Sequence, residues 1–396
     1  MEACSVMSYS KEGTESHPWN QTDPIFLGDA FYDRLAILSE KAERSIDIDF
    51  YIFEDDPIGR RFFNNLAAAS RRGVEVRIII DGFGSVWWPW SYASQARDAG
   101  IQFRVYHQMW FERFLARSPH IQDRVRGFFS GLQAINHRNH RKIALFDRQT
   151  ALVGSRNIAA VHSESINGGR AWRDSSIELQ GRGVEILSGH FDYVWNSHRL
   201  VKRFSLRKTR YLPTGSANGS IRHNLTRSAR KRNFKQLIAD LGGAQKRIWI
   251  TNAYFVPEQR IIDALTSAAR QGCDVQILLP AFSDIFFIPW VAAALQRELL
   301  ESGVRIFEYR PSVLHAKSMI VDDSVMIGSS NLNHRSFFND LETDIVVANE
   351  TNTDLFLRQF ELDRENSREL KISEWYYQKR LWRIAGTLLL PLRRWM

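Results

Sequence analysis

Two short stretches of this chain carry the same reactive side chains at nearly the same spacing. The first reads His140-Arg141-Lys142-Ile143-Ala144-Leu145-Phe146-Asp147, then six residues, then Gly154-Ser155-Arg156-Asn157. The second reads His315-Ala316-Lys317-Ser318-Met319-Ile320-Val321-Asp322, then five residues, then Gly328-Ser329-Ser330-Asn331. A single His-x-Lys pair carries no information, but His-x-Lys-x4-Asp with Gly-Ser-x-Asn downstream, found twice, is hard to obtain by chance. Along a strand, residues two apart point to one face, so His140 projects with Lys142 and His315 with Lys317. A histidine beside an ammonium is a poor cation ligand, and neither clustered carboxylates nor cysteines accompany the pairs, so no metal is expected. The set suits an anion such as phosphate. Lysine is a point charge for phosphate oxygens, and Ser155, Asn157, Ser329 and Asn331 add donors where charge develops. A neutral imidazole can attack phosphorus directly. The two serines have turn capping as their alternative. Asp147 and Asp322, five positions after the lysine, fall on the opposite strand face, where a hydrogen-bonding role in the fold is at least as well supported as catalysis.

The elements that must position these residues repeat as well. Residues 44–53 read as a strand, 58–72 as a helix, and 74–80, after Gly73, as a second strand. Residues 247–256, 260–270 and 273–279, after Gly272, repeat that order. Each helix is amphipathic, and each second strand is a nearly continuous apolar run, as a parallel strand covered on both faces requires. A further helix and strand end at residues 100–106 in one copy and 303–309 in the other, giving two α/β layer units. The boundaries follow as a flexible arm at 1–23, a first domain at 24–200, a basic linker at 201–235, a second domain at 236–372 and a basic amphipathic tail at 373–396.

A chain of 396 residues accommodates two such domains with a sizeable core. Lys and Arg number 53 against 44 Asp and Glu, a net charge of +9, but residues 201–235 alone hold eleven bases and no acid. Cys4 and Cys273 are too few for a disulfide framework. The polar N-terminus lacks the apolar core of a signal peptide, and no stretch approaches the roughly 20 apolar residues needed to span a bilayer. A protein of this kind that meets a membrane is expected to lie on it.

At the two motifs the chain resembles the phospholipase D superfamily, whose signature is His-x-Lys-x4-Asp followed by Gly-Ser-x-Asn. The resemblance covers both halves. It implies two similar phospholipase D-type α/β domains in one chain, each a mostly parallel mixed sheet flanked by helices, related by a pseudo-twofold axis with one active site at their interface. It also implies metal-independent, cofactor-free chemistry, in which one histidine attacks phosphorus and forms a phosphohistidine while the other protonates the leaving alcohol and then activates the acceptor. By that resemblance His140 is the nucleophile and His315 the general acid and base, with the exchanged roles left open. The family supplies an acid downstream of each motif to fix the histidine tautomer, and the matching candidates are Asp174 and Glu342, the latter in competition with Asp340 and Asp344. The spacer before Gly328 is one residue shorter than its counterpart, which reads as a tighter turn.

Substrate is read from other segments. His140 follows Gly100 by 40 residues and His315 follows Gly303 by 12, so the first half carries 28 extra residues, at about 108–135. There Trp110, Phe111, Phe114, Phe128 and Phe129 interleave with Arg113 and Arg117, a mixture suited to a lipid interface. The tail joins Trp382, Arg383 and Trp395 to further bases and leucines, which suits an interfacial anchor at an anionic membrane; a helix packed on the body is the alternative. The segments Tyr51-Ile52-Phe53-Glu54-Asp55-Asp56, Asp81-Gly82-Phe83-Gly84-Ser85 and Tyr254-Phe255-Val256-Pro257 are similar to those of bacterial cardiolipin synthases. That resemblance implies a phosphatidyl transfer from phosphatidylglycerol to a second phospholipid alcohol, giving cardiolipin, at the cytoplasmic face of a bacterial membrane with peripheral attachment and no nucleic-acid partner. A phospholipase D or other phosphatidyltransferase is the alternative, and a nuclease of the same superfamily comes third. His162, His190, His198, His223 and His334 lack a partner pattern and read as surface or loop residues.

Overall fold

The computed structural model describes residues 18–107, 137–197, 219–378 and 380–395. Thus most of the arm, the insert with Trp110, Phe111, Arg113, Phe114, Arg117, Phe128 and Phe129, the start of the linker and the side chain of Trp395 lie outside the described residues.

The first half orders seven strands as β1-β7-β6-β5-β2-β3-β4, formed by Gln21–Ile25 (β1), Ser45–Phe50 (β2), Glu75–Asp81 (β3), Gln102–Tyr106 (β4), Lys142–Phe146 (β5), Thr150–Gly154 (β6) and Ser176–Gln180 (β7). The second half orders eight as β15-β11-β10-β9-β12-β13-β14-β8, formed by Gly219–His223 (β8), Arg247–Thr251 (β9), Asp274–Pro280 (β10), Arg305–Tyr309 (β11), Ser318–Val321 (β12), Ser324–Gly328 (β13), Thr343–Val347 (β14) and Ser367–Glu369 (β15). Strand for strand, β1 to β7 correspond to β8 to β14. The sheets are mixed rather than mostly parallel: parallel pairing is confined to β2-β3-β4 and β9-β10-β11. The strands that carry the motifs are joined by short turns, and such hairpins pair antiparallel.

The helices that cross between parallel strands form for readable reasons. Pro57–Arg71 (α2, after α1 at Gly28–Lys41) is started by Asp56, whose carboxylate accepts the Gly59 N–H at 2.8 Å, with Pro57 at the first turn, where its missing N–H costs nothing. It buries Ile58, Phe62, Phe63 and Leu66 on one face. Gly73 at φ +96° turns the chain into β3, and Gly272 at φ +93° does the same before β10, a left-handed conformation that glycine adopts without Cβ strain. Helices Trp88–Asp98 (α3), Arg182–Ser197 (α4), Arg227–Gly243 (α5), Gln259–Arg270 (α6), Ile288–Glu301 (α7) and Glu350–Glu365 (α8) complete the two layers. Three large apolar clusters make up most of the core among the described residues. One apolar cluster lies within each half, and a third joins Val153, Ile177 and Leu179 of the first sheet to Val325, Ile327 and Ile345 of the second, with Leu187 of α4 and Phe356 of α8. The halves therefore share an apolar interface, and the site lies where they meet.

Two boundaries need correction. Trp19 is buried in the shared core and β1 begins at Gln21, so the last part of the supposed arm belongs to the first sheet. The basic linker likewise ends early, because β8 pairs with β14 and α5 starts at Arg227. In both places a short polar strand and a helix with many charges hide from a hydrophobic-pattern reading. The tail is helical, Ile372–Gln378 (α9) and Arg380–Leu389 (α10), and packs on α7: Trp375 Nε1 donates to Ala293 O at 2.9 Å, and a Cβ on Gly386 would come within 2.0 Å of Trp290 O. None of the described helices is long and apolar enough to cross a membrane.

Candidate active site

Each histidine is placed by backbone from the opposite half. The strands β5 and β12 begin only at Lys142 and Ser318, and the residues before them leave their own ladder. His140 N donates to Leu341 O (2.9 Å) and Leu341 N to Arg138 O (2.8 Å), while His315 N donates to Arg173 O (2.8 Å) and Arg173 N to Val313 O (2.9 Å). Isolated parallel bridges Asn139–Leu341 and Arg173–Leu314 result. An ion pair of Arg173 with Asp363 on α8, 2.9 Å, closes the same seam.

The orienting carboxylates cross over with the backbone. Asp174, from the first half, meets the Nδ1 of His315 at 2.7 Å, and Glu342, from the second, meets the Nδ1 of His140 at 3.1 Å. Each histidine thus shows its Nε2 to the common cleft. The competitors of Glu342 are engaged elsewhere: Asp340 accepts Arg138 N and Arg335 Nε, both at 2.8 Å, and Asp344 accepts Ser330 Oγ at 2.6 Å. Ser155 and Ser329 do not face the cleft as phosphate donors. Ser155 is fully buried and donates to Asp174, and Ser329 is buried against Thr343 and hydrogen-bonded to Glu342, so these hydroxyls position the carboxylates. Gly154 and Gly328 permit this, since a Cβ at either would fall 2.5 Å or less from the carbonyl of Ser175 or Thr343. Asn157 and Asn331 accept the N–H of Ile52 and of Tyr254, each at 3.3 Å, so the NH2 end is what each amide has to offer an anion.

Lys142 and Lys317 are buried and donate back to the carbonyls of His140 (2.6 Å) and His315. Tyr51 and Tyr254 extend the set: the Tyr51 ring lies 4.8 Å from that of His140, and Lys142 and Lys317 approach the Tyr51 and Tyr254 rings at 5.1 and 5.8 Å. A strand reading that runs through Phe53 and Val256 hides both tyrosines, because the ladders stop at Phe50 and Thr251 and the chain turns into the cleft.

His162 also belongs here, against its reading as a surface residue. It is buried beside His315, ring centroids 5.7 Å apart, with Nδ1 3.6 Å from Asp174 Oδ2, and burial pushes its pKa down to about 3. Ser336 occupies the matching position, five residues after Asn331 as His162 is five after Asn157, and donates to Glu342 at 2.7 Å. That matched offset is the signal available in the sequence. His223 is likewise buried and pairs with the half-buried His190, rings 4.2 Å apart, remote from the motifs in sequence.

Asp147 and Asp322 stand away from the cleft. Asp147 accepts the N–H groups of Glu43, Arg44 and Ser45 at 2.7–3.0 Å, and Asp322 those of Gln245, Lys246 and Arg247 at 2.7–3.1 Å. Each carboxylate pins the turn that leads from a helix into the first parallel strand. Bonds to a charged acceptor contribute about 1.5–3 kcal/mol. Asp147→Ala and Asp322→Ala should therefore each lower unfolding free energy by about 2–3 kcal/mol in denaturant melts, with turnover per folded molecule within about threefold of wild type.

Burial governs the charges. It drives the pKa of His140 well below the usual histidine range, assisted by Lys142 and Lys317, and it lowers His315 too, against the opposing pull of Asp174. It also lowers Lys142 to about 7 and Lys317 to about 8, and lifts the Glu342 carboxyl to about 7. Asp174 is the exception: burial works to raise it, but His315, together with His162 and Lys317, outweighs this and holds it well below the carboxylate range. The ligand atoms of His162, Asp174 and His315 lie within 4.8 Å of one another, close enough to contact a cation, but two ammonium groups border the same cleft, and the donor set as a whole favours an anion. An anion stabilises the ammonium forms, so its binding takes up protons. Affinity for a phosphate-like anion of fixed charge, such as sulfate, should fall by about fivefold or more between pH 8 and 9. Calorimetric affinities that stay flat to pH 10 would contradict the two lysines as its ligands.

The fold and the paired His-Lys-Asn sets define a phospholipase D-type protein with two units and one shared site. The chain belongs to the family described as "Cardiolipin synthase, PLD-like domain", which matches residues 36–165 and again 237–364. It is 27% identical over 363 residues to a cardiolipin synthase of Clostridium perfringens, covering 90% of this chain and 72% of that one. It is 29% identical to a cardiolipin synthase A of Pseudomonas putida, covering 89% and 70%. Among solved structures it is similar to a phosphatidylserine synthase of Haemophilus influenzae, with a TM-score of 0.65, 15% identity and 95% of both chains covered, a likeness of fold.

Proposed function

We propose that this protein is a cardiolipin synthase that moves a phosphatidyl group from phosphatidylglycerol to a second phospholipid alcohol through a phosphohistidine. The observation that carries the reading is the crossed pair of carboxylate-held histidines over two buried lysines in one cleft. His140, whose Nδ1 is held by Glu342, attacks phosphorus through Nε2. The P–O bond to glycerol breaks, and the glycerol oxygen takes the proton from Nε2 of His315, whose cationic form is stabilised by the ionised Asp174. The hydroxyl of the second lipid then gives its proton back to His315 as its oxygen forms the new P–O bond and frees His140. Lys142, Lys317 and the amides of Asn157 and Asn331 neutralise the phosphoryl oxygens throughout.

Substrate and product are anionic lipids, so the site is reached from a membrane surface, and attachment is peripheral, on the cytoplasmic side of a bacterial membrane. The basic segments of the sequence, +9 overall, support attraction to such a surface. The test is purified protein on phosphatidylglycerol vesicles, following lipids and free glycerol. Cardiolipin and glycerol in equal amounts are expected; phosphatidic acid as the sole product would replace synthase by hydrolase.

A further inference from the structure

Two loops with matched positions in the two halves carry bare aromatic tips. After β3, Phe83 and Trp87 are 52% and 67% exposed, with Trp90 at 78% on the first turn of α3. After β10, Phe282 and Phe286 are 64% and 70% exposed. Apolar surface of this size is costly in water and marks an interaction site when it is contiguous and supported. Here it is supported: Trp88 and Ile288, one residue into each helix, are buried, and Pro89 and Pro289 follow them. A Cβ on Gly84 would lie 2.4 Å from Tyr51 O, so the first loop is pressed against the site.

Both loops are tied to the catalytic groups. The Asp81 carboxylate accepts the N–H groups of Phe83 and Gly84 at 2.8 and 3.1 Å and Arg138 Nη2 at 2.6 Å on Oδ1, and Asn139 N at 2.9 Å on Oδ2; Arg138 and Asn139 lead into His140. In the second half Tyr254, beside His315, donates to Asp284 at 2.7 Å. Ile285 and Phe287 pack in one cluster with Tyr254 and with Leu389 and Leu390 at the end of α10. The tips therefore border the mouth of the cleft from both sides, at the carboxyl ends of parallel strands, where α/β sheets take their ligands.

We infer that the β3–α3 and β10–α7 loops form a two-sided membrane-docking rim, which inserts Phe83, Trp87, Trp90, Phe282 and Phe286 into the interface of an anionic phospholipid bilayer and sets the cleft over lipid headgroups. The inference rests on the reading of the cleft as a lipid phosphodiester site: a phosphorus atom that must reach buried Lys142 and Lys317 while its acyl chains stay in the bilayer needs an apolar collar at the mouth. Tryptophan and phenylalanine are the side chains that partition to that depth. The exposed face of α10, with Leu381 and Leu388, continues the rim on the second side.

The experiment uses the full chain and phosphatidylglycerol vesicles in flotation, with Trp87→Ser/Trp90→Ser and Phe282→Ser/Phe286→Ser double variants. Each should weaken vesicle binding about tenfold or more, and the combined variant further, while turnover of monomeric short-chain phosphatidylglycerol stays within about twofold. Wild-type vesicle affinity in both double variants would overturn the inference. So would loss of short-chain turnover parallel to loss of binding, or a change of oligomeric state on substitution with vesicle affinity intact, which would make the rim a contact between copies. Loss of vesicle binding in a protein that makes no cardiolipin would keep the rim and reject the synthase; cardiolipin synthesis with binding untouched would do the reverse.

Discussion

His140→Ala and His315→Ala each reduce cardiolipin formation by about 10³-fold or more, with vesicle binding unchanged and the fold retained. Neither side chain holds the fold: both are reached through backbone hydrogen bonds at His140 N and His315 N that alanine retains. The two losses differ in kind. General acid–base assistance supplies about 10²–10⁴-fold, and it matters less when the leaving group needs no proton. With an aryl phosphodiester, His315→Ala should recover release of the aryl alcohol to within about tenfold of wild type, while His140→Ala stays inactive because the attacking nitrogen is gone. Equal rescue of both would remove the division of labour, and rescue of His140→Ala alone would exchange the roles.

Asp174→Asn acts across the seam, on the histidine of the other half. An amide there accepts the His315 Nδ1–H less well and no longer stabilises the imidazolium, so turnover should fall about 10²–10⁴-fold, some 3–5 kcal/mol of barrier. Glu342→Gln should be milder, about 10- to 100-fold, because burial already lifts that carboxyl to about 7 and the His140 it faces works as a neutral nucleophile. Proton spectra provide the structural control. The hydrogen-bonded Nδ1–H resonance of His315 should vanish in Asp174→Asn and persist in Glu342→Gln, and the opposite pattern would mean that each acid serves its own half.

That crossing is the part of the site the sequence does not disclose. The repeat, the strand–helix–strand order and both His-Lys-Asn sets are legible because period-2 and period-3.6 patterns and matched spacing are local properties. The acids are legible as candidates by resemblance, but which histidine each one serves depends on backbone at Leu341 and Arg173 bonding across the halves. Ser155 and Ser329 show the same limit: their types suit a phosphate, yet burial turns them onto carboxylates. Tyr51 and Tyr254 were hidden within apparent strands, and His162 by the lack of a like residue in the second half, where Ser336 takes its place. The missed boundaries at Trp19 and β8 arise where a polar edge strand carries little hydrophobic signal. Hydrophobic pattern alone does not distinguish Trp88, which is buried, from Trp87 and Trp90, which are exposed.

The central claim, transfer of a phosphatidyl group through His140 in a site shared by both halves, is tested most directly by a single-turnover quench with phosphorus-labelled phosphatidylglycerol. Acid-labile label on the peptide that contains His140 should appear as glycerol is released and disappear as cardiolipin forms, and it should be absent in His140→Ala. Cardiolipin formation with neither histidine ever labelled, or label released only as phosphatidic acid, would contradict it.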